Sequence, residues 1–238
     1  MIRCLALLAL LAAPFVQADT ALHDDLPLRY LEQAPAGTHD QLLVIFLHGY
    51  GSNEADLFGL YERLPATYTY LSARAPQTLD EDSFQWFRRK GQGPYDGVSE
   101  DLASSAGLIE QFVRAAAAKY HTEPGKVVLV GFSQGAVMAY EVGLRHPQSV
   151  RGIAALSGKI LPQLASQLKG SAQLQRLGIF IGHGTNDQRL PYSDGAEANR
   201  LLQGLALEPQ FHAYPGMGHS ISEVEIQDLD RWLRGLAP

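Results

Sequence analysis

Cysteine is nearly missing from this chain. The single one is Cys4 in a sequence of 238 residues, so the rest of the chain has no disulfide, no cysteine nucleophile and no thiolate metal site. Such a chain tolerates an oxidising compartment well. There is also no extended basic run or stripe. Charged residues make up 18%, and the formal net charge is -6, which argues against nucleic acid and against electrostatic attachment to anionic membranes. No H-E-x-x-H or comparable ligand spacing occurs, and Gly49-x-Gly51 lacks the third glycine of a dinucleotide fingerprint. Internal repeats and low-complexity tracts are absent as well. What is present is an ordinary globular composition, 46% hydrophobic, rich enough for a substantial core and of a length that suits one α/β domain.

The first residues read as a leader. Met1-Ile2-Arg3 carries one positive charge, Cys4 to Val16 is almost entirely apolar, and Val16-Gln17-Ala18 puts small residues where a signal peptidase reads. The apolar run is short for a membrane span. Cys4 precedes that run, whereas a lipid-modified cysteine follows one. The expectation is a secretory signal over 1–18, cleavage after Ala18, and an exported protein, periplasmic or secreted, with no stable membrane insertion afterwards; the alternative is a retained N-terminal anchor.

From Asp19 onward the pattern alternates. Leu26–Leu31, Gln41–Leu47, Tyr68–Ala73, Lys126–Val130, Gly152–Leu156, Leu177–Ile181 and Pro209–Tyr214 read as strands. Several are apolar throughout, as in strands covered on both faces. Ser99 to about Tyr120, with Ser99 as N-cap, Ala136 to about Arg145, and Ile221–Leu236 read as helices. Ser83–Gly97 reads as a long loop. Strands alternating with helices predict a single α/β domain over 19–238, a mostly parallel sheet with helices on both faces.

Ligands of such sheets bind at the carboxyl ends of the strands. Four glycine-rich corners fall there: His48–Asn53, Gly131–Gly135, Gly182–Asp187 and Pro215–Ser220. The second is a G-x-S-x-G pattern between a strand and a helix, and an acid and then a histidine follow in chain order, each just after its own strand. Ser133 is then the candidate nucleophile, His219 the base that takes its proton, and Asp187 the group that fixes the imidazole. The backbone N–H groups of Gln134 and of Tyr50 are the candidate oxyanion donors. Asp194 competes with Asp187 but lies beyond Pro191. His212 competes with His219 but falls inside a strand, while His48 and His183 read as structural.

The stretches LHGYGSNEADL (47–57), GFSQGAVMA (131–139), HGTNDQRLP (183–191) and GMGHSIS (216–222) resemble the phospholipase/carboxylesterase family of α/β-hydrolases, which includes acyl-protein thioesterases and lysophospholipases. The resemblance implies Ser133, Asp187 and His219 as triad, Tyr50 and Gln134 as oxyanion hole, and no metal or organic cofactor. It also implies that Trp86 and Phe87 line the acyl side of the site, with ordinary packing as the alternative reading of this pair. The expected function is a serine carboxylesterase acting on small acyl esters through an acyl-enzyme. The alternatives are a thioesterase or lysophospholipase for longer chains, and a non-catalytic binding protein on a hydrolase fold. The expected partner is a small ester or acyl substrate, with the protein a monomer or a homodimer.

Overall fold

The computed structural model describes residues 19–35, 41–91 and 97–236. The expected leader, 1–18, lies outside them. Among the described residues ten strands occur: β1 (Asp19–His23), β2 (Tyr30–Gln33), β3 (Leu43–Leu47), β4 (Thr69–Ala73), β5 (Gln77–Asp80), β6 (Ser83–Gln85), β7 (Val127–Phe132), β8 (Gly152–Leu156), β9 (Gly178–Gly184) and β10 (Gln210–Tyr214). The helices are α1 (Ala55–Phe58), α2 (Ser99–Lys119), α3 (Gln134–Arg145), α4 (Pro162–Gln167), α5 (Tyr192–Gly204) and α6 (Glu223–Leu236).

Eight strands form one sheet in the order β1-β2-β4-β3-β7-β8-β9-β10. Neighbours from β4 to β10 are parallel, while β1 and β2 join as antiparallel additions at one end. Alternate residues of each strand serve opposite layers. Leu43, Ile45, Leu47 and Leu129 face a core with Ile109 and Phe112 of α2 and Val137 and Met138 of α3. Val44, Phe46, Val130 and Phe180 face a second core with Leu57 of α1 and Leu229, Trp232 and Leu233 of α6. This two-sided covering explains why LVIFL of β3 is apolar throughout and wholly buried.

Some expectations are corrected. The strand expected at Leu26–Leu31 begins only at Tyr30, because Pro27 breaks the extended ladder before it. Ser99 does not cap α2: Val98 holds that position, and the Ser99 hydroxyl bonds Gln163 Oε1 at 3.3 Å. The segment expected as a loop, Ser83–Gly97, starts as strand β6, hairpinned on β5. Residues 92–96 fall outside those described.

Candidate active site

Parallel pairing brings the carboxyl ends of β3, β7, β9 and β10 to one edge, with Leu47 opposite Gly131 and Gly184 opposite Tyr214. Ser133 stands between β7 and α3 with φ 56° and ψ -114°, a conformation L-residues adopt only when the surroundings impose it. Its N–H is tied to Leu156 O at 2.9 Å. The flanking glycines are obligatory for space. A Cβ on Gly131 would lie 2.2 Å from Gly135 O, and one on Gly135 would lie 1.9 Å from Leu47 O. Helix and strands therefore meet backbone to backbone, which pushes Ser133 out at the turn.

His219 Nε2 lies 2.9 Å from Ser133 Oγ, and His219 Nδ1 lies 2.7 Å from Asp187 Oδ2. The other carboxylate oxygen, Oδ1, accepts the N–H groups of Arg189 and Leu190 at 2.8 and 2.9 Å. Burial pushes the Asp187 carboxyl up, but the N–H of Leu190, the His219 ring and the N–H of Arg189 together outweigh it and hold the group below the usual carboxylate range. Asp187 thus stays anionic and favours the His219 tautomer that donates from Nδ1, in which Nε2 faces the serine hydroxyl as acceptor. His183, fully buried, approaches Leu190 O at 3.0 Å with its Nε2, bracing the turn that carries the aspartate.

The candidate oxyanion corner is built around a second buried histidine. His48 Nδ1 donates to Gly49 O at 2.7 Å, and Nε2 accepts the N–H of Ala75 at 3.1 Å. Burial drives the His48 pKa down, so the ring is neutral, as that pairing requires. Because a trans peptide holds C=O and N–H on opposite sides, fixing Gly49 O also fixes the direction of the Tyr50 N–H. The same corner is laced to β6 by Gly51 N to Phe84 O at 2.9 Å and Phe84 N to Ser52 O at 2.8 Å. The second candidate donor, Gln134 N–H, belongs to the first residue of α3, where no preceding helical carbonyl is available.

Ser133, His219, Gly49 and Tyr50 line a cleft of about 310 Å³, together with Ser52, Asp56, Phe132, Arg89 and Arg189. Trp86 and Phe87 are not among these. Both are fully buried, which corrects their expected place on the acyl wall. They brace the site instead. Trp86 N–H donates to Gln134 Oε1 at 2.7 Å, Gln134 Nε2 donates to Phe87 O at 2.8 Å, and Trp86 Nε1 donates to His48 O at 2.9 Å. The buried Gln134 amide thereby fixes the bend that follows β6, a role invisible in the five-letter pattern. Phe132, whose ring centroid is 4.9 Å from that of His219, and the two arginines are not signalled by the pattern; Phe132 and Arg189 lie within the motif stretches, Arg89 within Ser83–Gly97. The rival residues go elsewhere. Asp194 approaches Lys159 at 3.7 Å, and His212 Nδ1 faces Asp228 at 3.3 Å. Among the described residues, no cluster of three or more His, Cys, Asp or Glu is placed to hold a metal ion.

A nucleophile elbow on a parallel sheet, with serine, histidine and aspartate in one hydrogen-bonded line, defines an α/β-hydrolase. The family model described as phospholipase/carboxylesterase matches residues 32–236, and the chain belongs to that family of serine hydrolases. It is 26% identical over 218 residues to a probable inactive carboxylesterase of Oryza sativa subsp. japonica, covering 85% of this chain and 88% of that one. It is 32% identical over 117 residues to acyl-protein thioesterase 1 of Gibberella zeae, a match that spans 48% of this chain and only 50% of the relative. The carboxylesterase of Mesorhizobium loti has a similar structure, with a TM-score of 0.77 at 25% identity, covering 90% of this chain and 98% of that one.

Proposed function

We propose that this protein is a carboxylesterase that hydrolyses small acyl esters, with Ser133 as nucleophile, His219 as general base and acid, and Asp187 as the group that orients the imidazole. The observation that carries the reading is the unbroken line from Ser133 Oγ through both His219 nitrogens to Asp187, at 2.9 and 2.7 Å. Ser133 attacks the ester carbonyl while its proton passes to Nε2. The tetrahedral oxyanion is met by the N–H groups of Gln134 and Tyr50, the alcohol leaves with the proton from His219, and water repeats the sequence on the acyl-enzyme.

Small esters are favoured over long acyl chains because the cleft, about 310 Å³, lies at the lower end of the roughly 300–1,000 Å³ of ligand pockets. Burial of Trp86 and Phe87 also removes the apolar wall that a long chain needs. A thioesterase or lysophospholipase role for longer chains is the second reading, supported by relatives named acyl-protein thioesterases. A non-catalytic role is the third, supported by a relative named inactive, and an intact serine, histidine and aspartate speaks against it.

The test is hydrolysis of nitrophenyl esters of rising chain length beside fluorophosphonate labelling. Rates should fall beyond a few carbons, the adduct should form on Ser133, and Ser133→Ala should lose nearly all turnover while keeping its circular dichroism. A wild-type protein that takes no label would overturn the catalytic reading, and rates that climb with chain length would favour the second.

We also propose export after removal of residues 1–18, to the periplasm or the medium. In support, Met1-Ile2-Arg3 carries a positive charge, Cys4 to Val16 is almost entirely apolar, and small residues stand at Val16 and Ala18. Mass analysis of the exported protein should find Asp19 as its first residue; a full-length, membrane-retained chain would rule this out.

A further inference from the structure

Two guanidinium groups share the cleft with Ser133 and His219. Arg89 comes from the segment after β6, and Arg189 stands two residues after Asp187. Elsewhere the arginines of this protein tend to be neutralised: Arg63, Arg74, Arg88, Arg145 and Arg231 each meet a carboxylate. Arg89 and Arg189 meet none among the described residues.

Both arise from fixed backbone. Arg189 N–H is bound to Asp187 Oδ1 at 2.8 Å. Beside Arg89, Arg88 is pinned to Asp101 by its N–H at 3.0 Å and its Nε at 2.8 Å, and Arg88 O accepts Val98 N–H at 3.0 Å. Arg89 itself bridges to Gly97, where a Cβ would lie 2.8 Å from Leu102. The Arg89 guanidinium lies 4.6 Å from the centre of the Tyr50 ring, next to the residue whose N–H is the candidate oxyanion donor.

Among the described residues, Asp56 is the acidic one that lines the cleft beside them. Among the described lining residues two guanidinium groups face one carboxylate, with the Asp187 carboxylate set behind His219, in a chain of net charge -6. An acidic molecule repels anionic substrates at long range, and two guanidinium groups lining the cleft mouth offset that repulsion locally. Arginine presents a planar fork suited to a carboxylate. Asp56 and the overall charge favour a monoanion over a doubly charged phosphate.

We propose that Arg89 and Arg189 select esters that carry a free carboxylate, such as half-esters of dicarboxylic acids. The inference rests on ester hydrolysis at Ser133. The experiment compares kcat/KM for two anionic esters, each with a neutral isostere. Monomethyl glutarate, with the charge on the acyl side, is set against methyl 5-methylhexanoate. Butanoyloxyacetate, with the charge on the alcohol side, is set against isobutyl butanoate.

At low salt at least one anionic ester should be preferred over its isostere by about tenfold, and the arm that responds locates the charge. Arg89→Gln or Arg189→Gln should lower that ratio about fivefold, as loss of one exposed charge contact allows. The lysine variants should recover part of it, and Asp56→Asn should raise it. About 0.5 M salt should depress it through screening. The proposal is overturned if neither anionic ester is preferred by the wild type, or if the Arg89→Gln, Arg189→Gln double variant keeps the wild-type ratio. Absence of hydrolysis on all four esters is a different result, since it removes the esterase reading itself.

Discussion

Replacing Asp187 by Asn would exchange an anionic acceptor for an amide at the atom that His219 Nδ1 faces, 2.7 Å away. The imidazole would lose the partner that fixes its tautomer, with little change in shape. Asp187→Asn should reduce kcat/KM on the order of 10⁴-fold, the scale found when the acid of such a triad is amidated. A drop of less than about tenfold in steady-state assays would show that Asp187 does not orient the base. A second carboxyl sits deeper. Glu225 is fully buried, and neither of its oxygens has a hydrogen-bond partner. Burial, reinforced by the charge of Asp228 against the opposing Ser222 contact, pushes it up to about 8. The fold therefore holds Glu225 protonated, whereas the unfolded chain ionises it near the ordinary value of 4.5. Stability attached to this group is fully present below that value and declines as pH rises towards 8. Glu225→Gln should thus gain melting temperature over the wild type progressively from pH 5 to pH 8. An equal difference at both ends, by scanning fluorimetry, would contradict it.

The strand–elbow–helix unit of β7 and α3 is the least forgiving element. Gly135→Ala would force a Cβ to within 1.9 Å of Leu47 O, a backbone atom of the neighbouring strand that cannot swing aside. The variant should be insoluble or destabilised by more than about 3 kcal/mol, and a soluble protein with unchanged denaturant midpoint would refute this packing. Legibility of the elements follows from how fully each is covered. The buried strands β3, β7 and β8 announce themselves because both faces are apolar. Helix α5 passes unnoticed because only Gly195, Ala198 and Leu202 of it are buried, too thin a stripe for periodicity to register. The β5–β6 hairpin escapes for a related reason: β5 is mostly exposed. Strand β1 is a polar edge with one neighbour. The candidate site was readable at its reactive atoms, since corner glycines mark strand ends. Its scaffolding was not, because the bonds of the Gln134 amide to Trp86 and Phe87 join residues nearly fifty positions apart.

At the scale of the whole molecule, the three candidate catalytic side chains are not held equally. Ser133 rises from β7 in the middle of the sheet, Asp187 follows β9, and His219 follows β10, which is the terminal strand and pairs only with β9. β10 is also partly open to solvent, with Tyr214 its one buried residue, although the Tyr214 hydroxyl is moored to Asp228 on α6 at 3.1 Å. A border strand with a single ladder opens locally at lower free energy than the interior. Heat should therefore detach the base before it melts the sheet. In a temperature ramp, turnover should vanish several degrees below the loss of far-ultraviolet ellipticity, and activity should return on cooling from that interval. Coincident loss of the two signals would mean that β10 is as firmly held as the centre. On this construction the lifetime of the catalyst at elevated temperature is governed by the hem of the fabric and not by its weave.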